Sequence, residues 1–189
     1  MDGGSAAVRR LAADRTQAIH LGIGLAGLRR KARIGLNIGE MLVGNIGSRW
    51  RFNYTVMGDA ANLAALLKGA NKSFGSSILV SESTARACGD TVVMCDRDLV
   101  RVVGREAPIA VYEPLCLSSE ADAAVERKIA GFEAALKLYR AREFAAAAAA
   151  LEALGTKNGA AAKLAARARD MAADPPGADW RSVNDLVEK

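Results

Sequence analysis

Residues 32–84 read ARIGLNIGEMLVGNIGSRWRFNYTVMGDAANLAALLKGANKSFGSSILVSEST, and the rest of the chain is organised around them. Two apolar runs punctuated by glycine have the composition of strands: Ala32 to Asn37 continuing through Met41 to Val43, and Phe52 to Met57. Between them, Gly44 to Phe52 mixes glycine, arginine and aromatic residues. It reads as a protruding loop with Trp50 and Arg51 at its tip, either an anchor for another surface or plain solvent-facing chain over the sheet. A Gly58-Asp59 turn then opens a helix with Asp59 as its N-cap and Gly69 or Asn71 near its end, and Ser77 to Ser81 is a further strand. Asn62 lies in the first turn of that helix and Leu66 four residues on, so both project from one face, within reach of a ligand beside the strand end.

Upstream, residues 1–31 begin with a glycine-rich run and continue as a helical pattern from Arg9 to His20. Gly22, Gly24 and Gly27 match G-x-G-x-x-G, but the match follows a helical pattern rather than a strand and runs almost directly into the next strand, which is the wrong context for a dinucleotide fingerprint. It reads as a glycine-rich helix end. His20 is the only histidine and reads as structural, so a histidine-based triad or a histidine-rich metal site is not expected. The cluster Arg29, Arg30, Lys31 and Arg33 accounts for part of the net charge of +5 and reads as a solvated helix end; no nucleic-acid partner is expected.

Downstream, Thr91 to Met94, Leu99 to Val103 and Ile109 to Tyr112 read as short strands, with Gly104 and Pro108 at turns. After Pro114 the composition shifts to alanine. Ser118-Ser119-Glu120 is a capping sequence, and Val125, Ile129, Phe132, Leu136 and Tyr139 form a helical stripe within Asp122 to Arg140. A break at Ala141 to Glu143 leads to a second helix from Phe144 to Leu154, and Asn158 to Met171 is a third, ended by Pro175-Pro176. The first two helices are similar to a single tetratricopeptide-type hairpin, expected to pack over the sheet, and Trp180 reads as an anchor for the tail. Cys88, Cys95 and Cys116 show no C-x-x-C spacing, which fits reduced thiols and a cytoplasmic location. No apolar run reaches the roughly 20 residues a bilayer requires.

The strings RIGLNIGEMLVGNIGS and FNYTVMGDAANLAALLKGANKSFGSSILVSEST, followed by a strand-rich close ending AVYEPL, resemble the C-terminal half of the class III adenylate/guanylate cyclase catalytic domain, in particular bacterial members with an alanine-rich helical tail. The resemblance covers Arg33 to Leu115. It implies an α/β (α+β) fold: a partial ferredoxin-like cyclase sheet lacking its first strands over 32–117, preceded by a helical segment (1–31) and followed by a helical tail (118–189). It also implies conversion of ATP, or GTP, to the 3′,5′-cyclic nucleotide and pyrophosphate in a site shared between two subunits.

Residue by residue, the resemblance places Asn62 at the ribose-orienting asparagine and Thr55 at a purine-selecting position. It puts Asn45, Arg49, Trp50, Arg51 and Phe52 at the dimer surface, and Leu66 where the family carries its transition-state arginine. Leucine has neither charge nor donor, and losing one well-placed donor typically costs roughly 100- to 1000-fold in rate. Lys68 lies about 200° around the helix from Leu66 and is no substitute. The family's two aspartates for magnesium or manganese belong upstream of Ala32, where only Asp2 and Asp14 occur, so no metal ligand is assigned and no cofactor is expected to bind this chain alone. Glu40 is a hairpin residue and Asp59 a helix cap. Missing first strands would leave a sheet edge and an apolar face uncovered. Two readings follow. The chain is a truncated cyclase, inactive alone, that takes a nucleoside triphosphate only when paired with a complete cyclase domain in a homodimer or heterodimer. Alternatively it is a noncatalytic dimerisation or regulatory module, a pseudoenzyme remnant.

Overall fold

The computed structural model describes residues 32–48, 51–102, 107–155 and 159–186, leaving aside the side chains of 45–48, 51–53 and 186. The Arg9–His20 helix, the Gly22/Gly24/Gly27 match and the basic residues before Ala32 lie outside it. A five-stranded sheet of order β1-β4-β6-β5-β7 combines Ile34–Leu36 (β1), Ile78–Ser81 (β4), Val92–Val102 (β5), Ile109–Leu117 (β6) and Val183–Leu186 (β7). A separate antiparallel ribbon pairs Leu42–Ser48 (β2) with Arg51–Met57 (β3). The helices are Asp59–Phe74 (α1), Glu82–Cys88 (α2), Ala123–Arg140 (α3), Phe144–Ala153 (α4) and Gly159–Ala173 (α5).

The expected loop from Gly44 to Phe52 is therefore mostly strand. Pairing runs from Leu42↔Met57 without interruption to Ser48↔Arg51. Glycine weakens strand propensity, but here the ladder is closed by the partner strand. Asp59 is the first residue of α1 rather than its cap. Gly58 holds the cap position at φ 143°, a conformation glycine adopts freely, with no side-chain cap bond. The helix runs past Gly69 and Asn71 to Phe74 and ends at Gly75, whose φ of 67° is left-handed.

Helix α1 buries Ala60, Leu63, Leu67, Ala70, Asn71 and Phe74, the single face that helical spacing predicts. This face meets Leu79, Val100, Val102 and Val111 of the sheet to form one core. Close approach requires glycine at position 35: a Cβ there would lie 2.1 Å from the Ala64 carbonyl oxygen and 2.4 Å from the Lys68 nitrogen. The helix backbone thus rests directly on β1.

Strand β5 is continuous where two short strands are expected. Register shifts at Val93/Met94 and Asp96/Asp98 bend it without breaking the pairing to β6, and the second places Arg97 and Asp98 in succession, both buried. Arg97 is neutralised by Glu113 across the ladder at 2.6 Å and lies 4.3 Å from the Phe132 ring. Strand β6 likewise runs past Tyr112 to Leu117. Helix α2 and strand β7 are additions to the sequence reading. Ser118–Glu120 forms a 3₁₀ turn, and the cap of α3 is Asp122, whose Oδ1 accepts from the Val125 N–H at 2.8 Å. Helices α3, α4 and α5 share a second core that reaches the sheet at Cys95 and Leu115, so the tail packs over the sheet as expected. Trp180 does anchor the tail, edge-on to Tyr139 and Phe144 with centroids 5.5 and 5.3 Å away.

Candidate functional site

Two asparagines hold α1 on β1. At the C-terminal end of the strand, Asn37 Nδ2 donates to the Ala60 carbonyl at 3.0 Å, while its Oδ1 accepts from Ser81 Oγ at 2.6 Å and Ser83 Oγ at 3.1 Å. Thr84 Oγ1 accepts from the Ile38 N–H at 2.9 Å. At the other end of α1, the buried Asn71 donates to the carbonyls of Ile34 at 2.9 Å and Leu67 at 3.1 Å and accepts from Ser76 Oγ at 2.8 Å. Side-chain amides carry both donor and acceptor, so each joins backbone groups that the sheet and helix leave facing one another. Neither role is signalled locally: the partners lie up to 46 residues away.

This bracing sets the first turn of α1. Asn62 is exposed there, with its N–H bonded to the Gly58 carbonyl at 3.2 Å. Thr55 is exposed on β3, paired with Gly44 of β2. Leu66 differs from both: it is half-buried and packs with Ile109 against the α1–sheet core. The side chain at 66 thus lies at the edge of the core, whereas that of Asn62 is exposed.

Asn45, Arg51 and Phe52 lie in the ribbon strands, opposite Tyr54, Ser48 and Gly47. Arg49 and Trp50 lie outside the described residues. The ribbon exposes apolar side chains at Leu42 (75%), Val43 (54%), Tyr54 (76%) and Met57 (51%). An apolar surface of this kind is the usual mark of an interaction site.

A cleft of about 350 Å³ opens where β1 and β4 end and α1 begins, lined by Asn37, Glu40, Asp59, Ser83 and Arg86 among others; Asn62, Thr55 and Leu66 are not among its walls. Among the described residues, no three His, Cys, Asp or Glu side chains come together as a metal site.

The family model for the adenylate and guanylate cyclase catalytic domain matches residues 15–112, just over half of the chain. The chain belongs to this cyclase family. Among relatives of this cyclase domain, adenylate cyclase 1 of Rhizobium meliloti is 35% identical over 83 residues, 44% of this chain and 12% of that protein. The adenylate cyclase of Anabaena cylindrica is 35% identical over 84 residues, 42% of this chain and 16% of that protein. This chain thus spans a small part of the relatives it matches. Among solved structures, the adenylyl cyclase CyaB from P. aeruginosa is 28% identical at a TM-score of 0.41, covering 58% of this chain and 53% of that one. A bacterial light-regulated adenylyl cyclase is 20% identical at a TM-score of 0.48, covering 60% and 33%. Among the described residues no helix is long and apolar enough to cross a membrane.

Proposed function

We propose that the chain presents the base- and ribose-facing side of a composite nucleotidyl cyclase site, and that it forms cyclic nucleotide only when a paired cyclase domain supplies the groups it lacks. The observation that carries this reading is the joint placement of Thr55 and Asn62, both exposed, on the ribbon and on the first turn of the braced helix α1. The Thr55 hydroxyl both donates and accepts, which suits the edge of a purine, and the Asn62 amide has the donors and acceptor to orient a ribose. Leu66 contributes no charge to the leaving pyrophosphate. A metal ion, where a paired domain holds it, would neutralise phosphate charge and activate a hydroxyl. ATP and GTP both remain substrates of this proposal. The exposed apolar ribbon is the surface through which a second copy or a complete cyclase domain docks.

Complementation tests this. A complete class III domain whose own ribose-orienting asparagine is replaced by alanine should regain cyclic nucleotide formation when mixed with this chain, and lose it again with Asn62→Ala. Binding without any regained activity would sink the catalytic role. That outcome would instead support the second reading, a noncatalytic dimerisation or regulatory module, which the packing of Leu66 into the core edge favours.

A further inference from the structure

Asp98 is fully buried, 0% exposed, on the bulged stretch of β5, and its carboxylate is shared between the helical bundle and the C-terminal segment. From the bundle, Arg140 of α3 approaches at 3.3 Å and Arg167 of α5 at 3.7 Å. From the C-terminal segment, Ser182 Oγ donates to it at 3.1 Å and Asn184 Nδ2 at 2.8 Å. Asn184 also donates to the Leu99 carbonyl at 3.2 Å and accepts from Arg167. These residues hold β7 parallel to β5, in register from Leu99↔Val183 to Val102↔Leu186, so that β7 is the last strand of the sheet on that side.

The segment leading to β7 is tied in the same manner. Arg142, itself at φ 68°, donates to the Pro176 and Gly177 carbonyls and lies 5.9 Å from the Trp180 ring. From Arg181 to Asp185 the attachment is largely polar. Ser182, Val183 and Asn184 are only half-buried and Asp185 is exposed, and no residue of 181–185 joins either hydrophobic core. The sheet core and the bundle core are each built without this segment. Elements with few buried apolar contacts are the ones that open first, at free energies below that of global unfolding.

We propose that residues 181–186, beyond the Trp180 anchor, form a detachable strap, latched on the buried carboxylate of Asp98, whose release frees the edge of β5 while the cyclase sheet and the helical bundle stay folded. The opened edge presents unpaired N–H and C=O groups able to accept an extended segment in place of β7. The latch therefore decides whether the domain's last edge is closed by its own tail.

Hydrogen exchange on the full chain, read by mass spectrometry, tests the strap. Asn184→Ala removes the shorter of the strap's two side-chain contacts with the carboxylate, leaving that of Ser182, and leaves both cores untouched. Asp98→Asn removes the charge from the latch itself. The Asn184→Ala chain is expected to exchange its amides at 183–186, and those of β5 facing them, at least about tenfold faster, with α1 and α3 amides unchanged. Asp98→Asn should accelerate the same amides, with added exchange in the bundle where Arg140 and Arg167 lose a partner. Unchanged exchange at 183–186 in Asn184→Ala would overturn the proposal. So would equal acceleration across α1 and α3, which would make the segment part of the global core.

Discussion

Replacing Asn71 by alanine removes the brace that ties the C-terminal half of α1 to β1. The side chain is 1% exposed and makes bonds to Ile34, Leu67 and Ser76. The Leu67 carbonyl lies inside the helix, where it has the usual backbone partner. The part-buried Ile34 carbonyl and the Ser76 hydroxyl, which is itself 8% exposed, each lose a bond. Each such loss is worth about 1–2 kcal/mol once the stranded partner is counted, giving a total of about 2–4 kcal/mol. For a chain of this size that lowers the melting temperature by about 5–15 °C. Urea unfolding followed by helical circular dichroism measures it, and the slope should be unchanged because the native fold persists. Asn71→Asp should be at least as damaging, because a carboxylate cannot donate to the Ile34 carbonyl. An Asn71→Ala protein within about 0.5 kcal/mol of wild type, the range of an ordinary surface substitution, would refute the bracing argument.

Other expectations rest on separate features. Gly35→Ala would push a Cβ to 2.1 Å from the Ala64 carbonyl oxygen, so α1 must lift from β1; destabilisation of about 3 kcal/mol or more is expected in the same unfolding assay. Leu66→Arg exposes a half-buried side chain of the core edge and should cost about 1 kcal/mol, without producing any cyclase activity in the chain alone. Burial pushes the Cys95 thiol up to about 11 from 9.0, with Arg97 opposing. The folded state then holds this proton where the unfolded state releases it, so the contribution is intact below pH 9 and lost as pH rises towards 11. Wild type should accordingly lose about 2 kcal/mol more than Cys95→Ala across that interval, read by urea midpoints at each pH.

What was legible in the sequence is what short-range pattern determines. The helix after Gly58 follows from Leu63, Leu67 and Ala70 on one face, β4 from its unbroken apolar run, and the three tail helices from alanine content and spacing. The ribbon was hidden because Gly44 and Gly47 dilute the strand pattern. Strand β5 was hidden because Asp96-Arg97-Asp98 looks like a solvated break, whereas its charges are neutralised by Glu113, Arg140 and Arg167 from elsewhere in the chain. Helix α2 is short and polar and depends on Ser81, which accepts from the Thr84 N–H at 3.3 Å. Strand β7 has little apolar character, and its pairing is set by Asp98, 86 residues from Asn184. Thr55 on a strand and Asn62 in the first turn of a helix were legible from local pattern. The inward packing of Leu66 and the bracing by Asn37 and Asn71 were not, because each depends on a surface supplied by a distant element.

The central claim is that this chain supplies one side of a cyclase site and not the whole. Its most direct test is cyclic AMP and cyclic GMP formation by the purified 189-residue chain with manganese and ATP or GTP, at concentrations high enough to drive self-association. No product above the protein-free control is predicted for either nucleotide. Steady turnover that is abolished by Asn62→Ala would contradict the claim, because the chain would then hold a complete site of its own.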